Sequence, residues 1–233
     1  MSTSRRLIPL LLLATMTLGA GLSALAGASA RPTSPTILGP EGVALSFAPD
    51  LAPAGTPAGR GTVDGIKCVT LGHEVVHYHT HTYLSVVVNG SMRRLPPGLG
   101  ITAPRLVENF SSAPFYDLGI GNCLYWIHVH TNDNIVHVEA PQRERFTLGQ
   151  LFDIWGQPLS ATQVGPAVGP VTVYVDGQIV PGNPRDVLLL DLQTVQLDVG
   201  TRAPFVPHHF SVSGLCGAGT NTCTGTTTTT VAG

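Results

Sequence analysis

Between Tyr83 and Gly90 the chain reads Tyr83-Leu-Ser-Val-Val-Val-Asn-Gly90, a β-branched run closed by an Asn-Gly pair, the strongest short-range hairpin signal. Pro96-Pro97-Gly98 then imposes a bend. Leu124 to His130 and Ile135 to Glu139 are two further β-rich runs around the polar turn Thr131-Asn132-Asp133-Asn134. Val171-Thr-Val-Tyr-Val-Asp-Gly177 repeats the strand-then-turn form, and Thr194 to Val199 is another strand. The apolar period changes once. Leu148, Leu151, Phe152 and Trp155 fall on one face of a helix, Thr147 is a suitable N-cap, and Gly156 with Pro158 beyond it stops the run. This pattern predicts a helix over 148–155 in an α+β domain that is chiefly antiparallel β.

The ends of the chain differ from this middle. Arg5 and Arg6 precede the apolar run Leu7 to Leu13, and Ala28-Ser29-Ala30 is a small-x-small cleavage site, so residues 1–30 read as a signal peptide. Pro9, Thr15, Thr17 and Gly19 interrupt the apolar run and argue against a retained anchor. Ser4-Arg5-Arg6-Leu7-Ile8 partly matches a twin-arginine signal but lacks the usual Phe and Lys. Residues 31–61 are rich in Pro, Gly, Ala and Ser and read as a flexible linker, 62–212 as a single β-rich globular domain, and 213–233 as a Gly/Thr-rich tail. The expected location is extracytoplasmic: periplasmic, cell-wall or secreted.

Charge removes some function classes. Only 11% of residues are charged, the net charge is -2, and no Lys/Arg run follows the leader, so the cations needed to neutralise phosphates are missing and nucleic acid is not an expected partner. Four cysteines in an exported chain favour disulfides. Of the three connectivities the favoured one is Cys68–Cys123 with Cys216–Cys223, and cysteine as a soft metal ligand is the competing reading.

Two resemblances follow from longer phrases. From about Leu124 to Val199 the order is hairpin, helix, strand, strand, with the last three carried by Phe146-Thr-Leu-Gly-Gln-Leu-Phe152, Val173-Tyr-Val-Asp-Gly-Gln-Ile-Val180 and Leu190-Asp-Leu-Gln-Thr-Val-Gln-Leu197. That order resembles the β-grasp fold of ubiquitin and the sulfur-carrier proteins. It implies a β-grasp-like C-terminal half on which an N-terminal strand segment packs. Carrier activity is not implied, because Gly200 is followed by Thr201 and more chain rather than ending a Gly-Gly tail. Cys123-Leu-Tyr-Trp-Ile-His-Val-His130, His137-Val-Glu-Ala-Pro141 and Phe146-Thr-Leu-Gly-Gln-Leu-Phe-Asp-Ile-Trp-Gly156 resemble a functionally uncharacterised family of exported prokaryotic proteins. Its members also carry a His-x-His segment before an apolar strand ending in Asn-Gly, as His79-Thr-His81 does here, which implies a shared site without naming its use.

Seven of the nine histidines lie between His73 and His137. His77, His79 and His81 alternate with Tyr78 and Thr80, so an extended backbone projects all three from one face. His128 and His130 share a face in the same way. If Asn132-Asp133 is a two-residue turn, His130 pairs with Ile135 and His128 with His137, which gathers His128, His130 and His137 on one patch. Three imidazoles on rigid strands supply the ligand count of a zinc or copper site. Glu139 and Asp133 are candidates for orienting an imidazole N–H.

The expected metal ligands are therefore His128, His130 and His137, with His77, His79 and His81 as a second cluster. The expected cofactor is a transition metal ion, copper or zinc. Met92 is the only methionine past the leader, which argues against a Cu(I)-specialised site. The expected role is an exported binding or handling module with no membrane anchor after processing. One alternative is a metal-dependent hydrolase or oxidoreductase on the same histidines, and another is a structural histidine network without metal. His73-Glu74-Val75-Val76-His77 spells the zincin motif, but that motif needs a helix and this stretch runs into a strand. Asn132-Asp133-Asn134 is better read as a turn than as a calcium loop. His208 and His209 are adjacent and point apart on any strand.

Overall fold

The computed structural model describes residues 36–40, 42–55, 61–109 and 113–210. The leader, the tail and the Cys216–Cys223 pair expected above lie outside them. In chain order the strands are β1 (Thr62–Val63), β2 (Ile66–Val69), β3 (Tyr78–Val88), β4 (Ser91–Arg93), β5 (Leu106–Asn109), β6 (Pro114–Asp117), β7 (Leu124–Tyr125), β8 (Ile127–His128) and β9 (Ile135–Ala140). Helix α1 (Leu148–Trp155) follows, then β10 (Leu159–Ser160), β11 (Gln163–Val164), β12 (Ala167–Val168), β13 (Val171–Val175), β14 (Gln178–Ile179) and β15 (Gln193–Val199). The architecture is α+β, with antiparallel and mixed sheets and one short α-helix among the described residues.

The main sheet runs β14-β13-β15-β3-β9-β8, with β4 paired to β3. Its two central strands, β15 and β3, are parallel, and the other pairs are antiparallel. The sequence predicts hairpin, helix, strand, strand along the chain, and those elements are present. The centre of the sheet differs from the expectation. It is occupied by β3, from the N-terminal segment expected to pack on the rest from outside.

Strand β3 is long because Tyr78–Val88 holds no Gly or Pro and is mostly β-branched or aromatic. It turns into β4 through Asn89 and Gly90, at φ 48° and 80°, the left-handed pair that a tight hairpin requires. The alternation of β3 separates two faces. Leu84 and Val86 join Val136, Val138, Val195 and Leu197 in a core cluster with Leu148, Leu151, Phe152 and Trp155 of α1. The helix begins with a capping box. Thr147 Oγ1 accepts from Gln150 N at 3.3 Å, and Gln150 Oε1 accepts from Thr147 N at 3.0 Å. It ends at Gly156 with φ 70°.

The opposite face of the sheet is polar and partly strapped. Gln196 and Asp198 accept from Val206 N and Ala203 N at 3.0 Å and 2.7 Å, and the Tyr83 ring stacks on His208 at 3.9 Å. Residues 36–55 fall in the stretch whose composition suggests a linker, yet Val43, Leu51 and Ala52 are buried. Leu51 N donates to Arg94 O at 2.9 Å and Ser46 N to Asn132 O at 2.7 Å, so this segment lies along the domain edge. Its buried apolar side chains and these backbone hydrogen bonds hold it there. Cys68 and Cys123 form the expected disulfide, which ties β2 to the chain entering β7. Among the described residues no helix is long and apolar enough to cross a membrane.

Candidate metal centre

Three neighbouring strands carry the histidines. Antiparallel pairing of β3 with β9 sets His81 opposite His137 and His79 opposite Glu139, while β8 pairs with β9 to set His128 opposite His137. A row His81–His137–His128 therefore crosses three strands on the polar face, and period-two alternation adds His79 and Glu139 beside it. The predicted pairing of His128 with His137 is present. The predicted pairing of His130 with Ile135 is not, because β8 ends at His128 and the chain turns aside. Val129 N donates to Leu99 O, and His130 O accepts from Tyr116 N. His130 still reaches the patch, held by β6 through the Tyr116 backbone and the Phe115 ring, which stacks on it at 4.3 Å.

Two of the rings have their tautomers set by backbone carbonyls. His128 Nδ1 lies 2.8 Å from Tyr125 O, and His130 Nδ1 lies 2.6 Å from Tyr116 O. A carbonyl oxygen only accepts, so each Nδ1 carries a proton and each Nε2 is turned into the patch. Those two Nε2 atoms stand 3.0 Å apart. Two nitrogens at about 2.0–2.1 Å from one ion would be about 2.9 Å apart at a right angle and about 3.4 Å at the tetrahedral angle. Glu139 Oε1 is 3.8 Å from both Nε2 atoms and 3.9 Å from His137 Nδ1. The four donor atoms of His128, His130, His137 and Glu139 lie within 4.8 Å of one another, as do those of His79, His81 and His137.

Burial shapes the charge here. His128 and His137 are essentially inaccessible, His130 and His81 nearly so, and the Glu139 and His79 side chains are 21% and 17% exposed. Desolvation, reinforced by neighbouring His130, pushes His128 down to about 3. Burial and His79 push His81 down to about 3, and burial drives His137 well below the usual imidazole range. Burial alone would raise Glu139, but a hydrogen bond from His130 and the facing imidazoles hold it well below the usual carboxylate range. The site is thus a mostly buried carboxylate that accepts a hydrogen bond from His130 and is ringed by imidazoles of which His128, His137, His79 and His81 are held toward the neutral form. Buried anions are stable only when paired or metal-bound, and a cation meets that requirement.

Of the residues singled out in the sequence, His128, His130, His137, His79 and His81 come together. His77 does not: it is exposed, one residue before β3, and belongs to neither group. The two expected clusters are joined through His137 rather than separate. Glu139, expected to orient an imidazole, is itself placed as an oxygen donor. Its position two residues after His137 on the same strand was the signal for this. Asp133 instead accepts from Ile135 N at 3.0 Å within the turn. His73 to His77 is exposed at nearly every position and not helical, so the zincin arrangement is absent. His208 stacks on Tyr83, outside both groups. No family model, curated protein or solved structure matches the chain.

Proposed function

We propose that the protein is an exported metal-binding module that holds a transition metal ion, copper or zinc, through His128, His130, His137 and Glu139. The observation that carries this reading is the pair of Nε2 atoms 3.0 Å apart, each turned inward by a carbonyl behind its ring. Two ring nitrogens at that distance need a proton or a metal ion between them. A single proton would satisfy only His128 and His130, whereas an ion satisfies all four donors together. Imidazole with one carboxylate suits borderline divalent ions. Export is supported by the Cys68–Cys123 disulfide, since such bonds persist in oxidising compartments. The parallel central pair β3 and β15, with α1 between β9 and β13, supports a β-grasp-like topology in which β3 is the first strand. Membership of the exported prokaryotic family rests on the shared phrases around His128 and His137.

The test is metal content by mass spectrometry on protein prepared without a histidine tag, together with Glu139→Gln and His128→Ala/His137→Ala variants checked for folding by circular dichroism. Near-stoichiometric copper or zinc in the parent, weakened in the first variant and lost in the second, supports the reading. A folded parent that retains no metal after reconstitution and dialysis against a mild chelator refutes it and leaves a hydrogen-bonded histidine network.

A further inference from the structure

Resting on that reading, we infer that the centre holds two ions, the second bound by His79, His81 and His137, with the His137 ring shared between them. His81 is 4% exposed, and its Nε2 is buried with no hydrogen-bond partner among the described residues. Its Nδ1 faces Asp191 Oδ1 at 3.9 Å, and the same carboxylate oxygen accepts from His81 N at 3.1 Å. The ring thus faces a carboxylate on one edge and presents an unused nitrogen on the other. An unpaired buried nitrogen is costly to keep, and a ligand position explains it. His79 Nε2 lies 3.4 Å from His137 Nδ1, the spacing of two nitrogens on one ion. The rings of His81 and His137 meet edge to face at 4.8 Å.

His137 belongs to both donor groups, and a ring nitrogen offers a single lone pair. Simultaneous occupation therefore uses both nitrogens of His137. Nδ1, beside His79, serves the second ion, and Nε2 serves the first. The neutral ring carries one N–H, so its proton passes to solvent as the second ion binds, leaving an imidazolate between two cations. Glu139 Oε1, 3.2 Å from His79 Nε2 and 3.8 Å from His128 Nε2, lies within reach of both positions and adds negative charge where two cations would repel.

The experiment is titration of the tag-free protein with Zn(II), dialysis against a mild chelator, and native mass spectrometry. Two ions are expected in the parent and one in His81→Gln. His79→Gln, at a more exposed position than His81, is also expected to hold one. A parent that stops at one ion, or a second ion that survives both substitutions, overturns the inference but leaves the single-ion function standing. No retained ion overturns both. Loading with Cu(II) tests the sharing itself. Two spins joined through one ring couple, so the doubly loaded protein should give less paramagnetic resonance intensity than twice the singly loaded form. Full additive intensity would remove His137 as the shared ligand.

Discussion

Lowering the pH should destabilise the metal-free protein through its buried imidazoles. His128 and His81 are pushed from 6.5 to about 3 in the folded chain, by burial first and by neighbouring imidazoles second. Below 6.5 the unfolded chain takes up protons that these two rings refuse until about pH 3. Their contribution is therefore present above 6.5 and lost as the pH falls. Each pH unit in that window costs about 1.4 kcal/mol per ring, so at about pH 5 each has cost about 2 kcal/mol and the pair about 4 kcal/mol. His137 and His79 shift in the same direction and add to the loss. Glu139 does not offset it. Its folded value is depressed, so its contribution is intact above the ordinary carboxylate range and falls away only in stronger acid. A loss of about 4 kcal/mol is large against a typical domain stability of about 5–15 kcal/mol. Urea unfolding followed by the fluorescence of the buried Trp126 and Trp155, with a chelator present, measures it directly. His128→Gln should reduce the drop by about 2 kcal/mol, one ring's share. Bound zinc should raise stability at neutral pH by mass action, with an advantage that shrinks in acid because protons compete for the same lone pairs. If the metal-free protein loses less than about 1 kcal/mol between neutral pH and pH 5, the rings are not neutral and desolvated in the folded state, and the argument for a cation at the site loses its basis.

Gly100→Ala should disturb the site without touching a ligand. At φ 79° a side chain there is already strained, and its Cβ would stand 2.6 Å from Ile127 O and 2.9 Å from His128 Cβ, so β8 must move. Zinc affinity, measured by competition with a chromophoric chelator, should fall about 10–100-fold, the range for supporting residues of metal sites; unchanged affinity would mean that Gly100 does not position His128. Replacing both Cys68 and Cys123 by Ser opens a loop of sequence separation 55 and should cost roughly 4 kcal/mol through chain entropy. Denaturant unfolding of the double variant checks this, and an unchanged midpoint would show that the β2–β7 pairing constrains the chain without the bond.

The elements that could be read from the sequence were those set by local physics. The helix over 148–155 follows from a 3.6-residue apolar period and two caps, and the His128–His137 contact follows from one polar turn and strand alternation. The chain does not announce its long-range pairings in the same way. β15 lies beside β3 in parallel, with Val195 opposite Leu84, and a parallel pair has no tight turn to betray it. The meeting of the two histidine clusters depends on β3 pairing with β9, which sets His81 against His137 across 55 intervening positions. Composition also misled at Val43 and Leu51, whose Pro- and Gly-rich surroundings mask side chains that are buried. Glu139 is the instructive case. Its same-face position with His137 was legible, but its role depends on how far β9 reaches past Trp126, whose carbonyl accepts from Glu139 N at 2.8 Å. That contact belongs to the outer edge of the sheet, where β7 gives way to β8. A site assembled from three strands is thus specified by register. A slip of one residue between β3 and β9 would turn His79 and His81 toward α1 and leave Glu139 without His79.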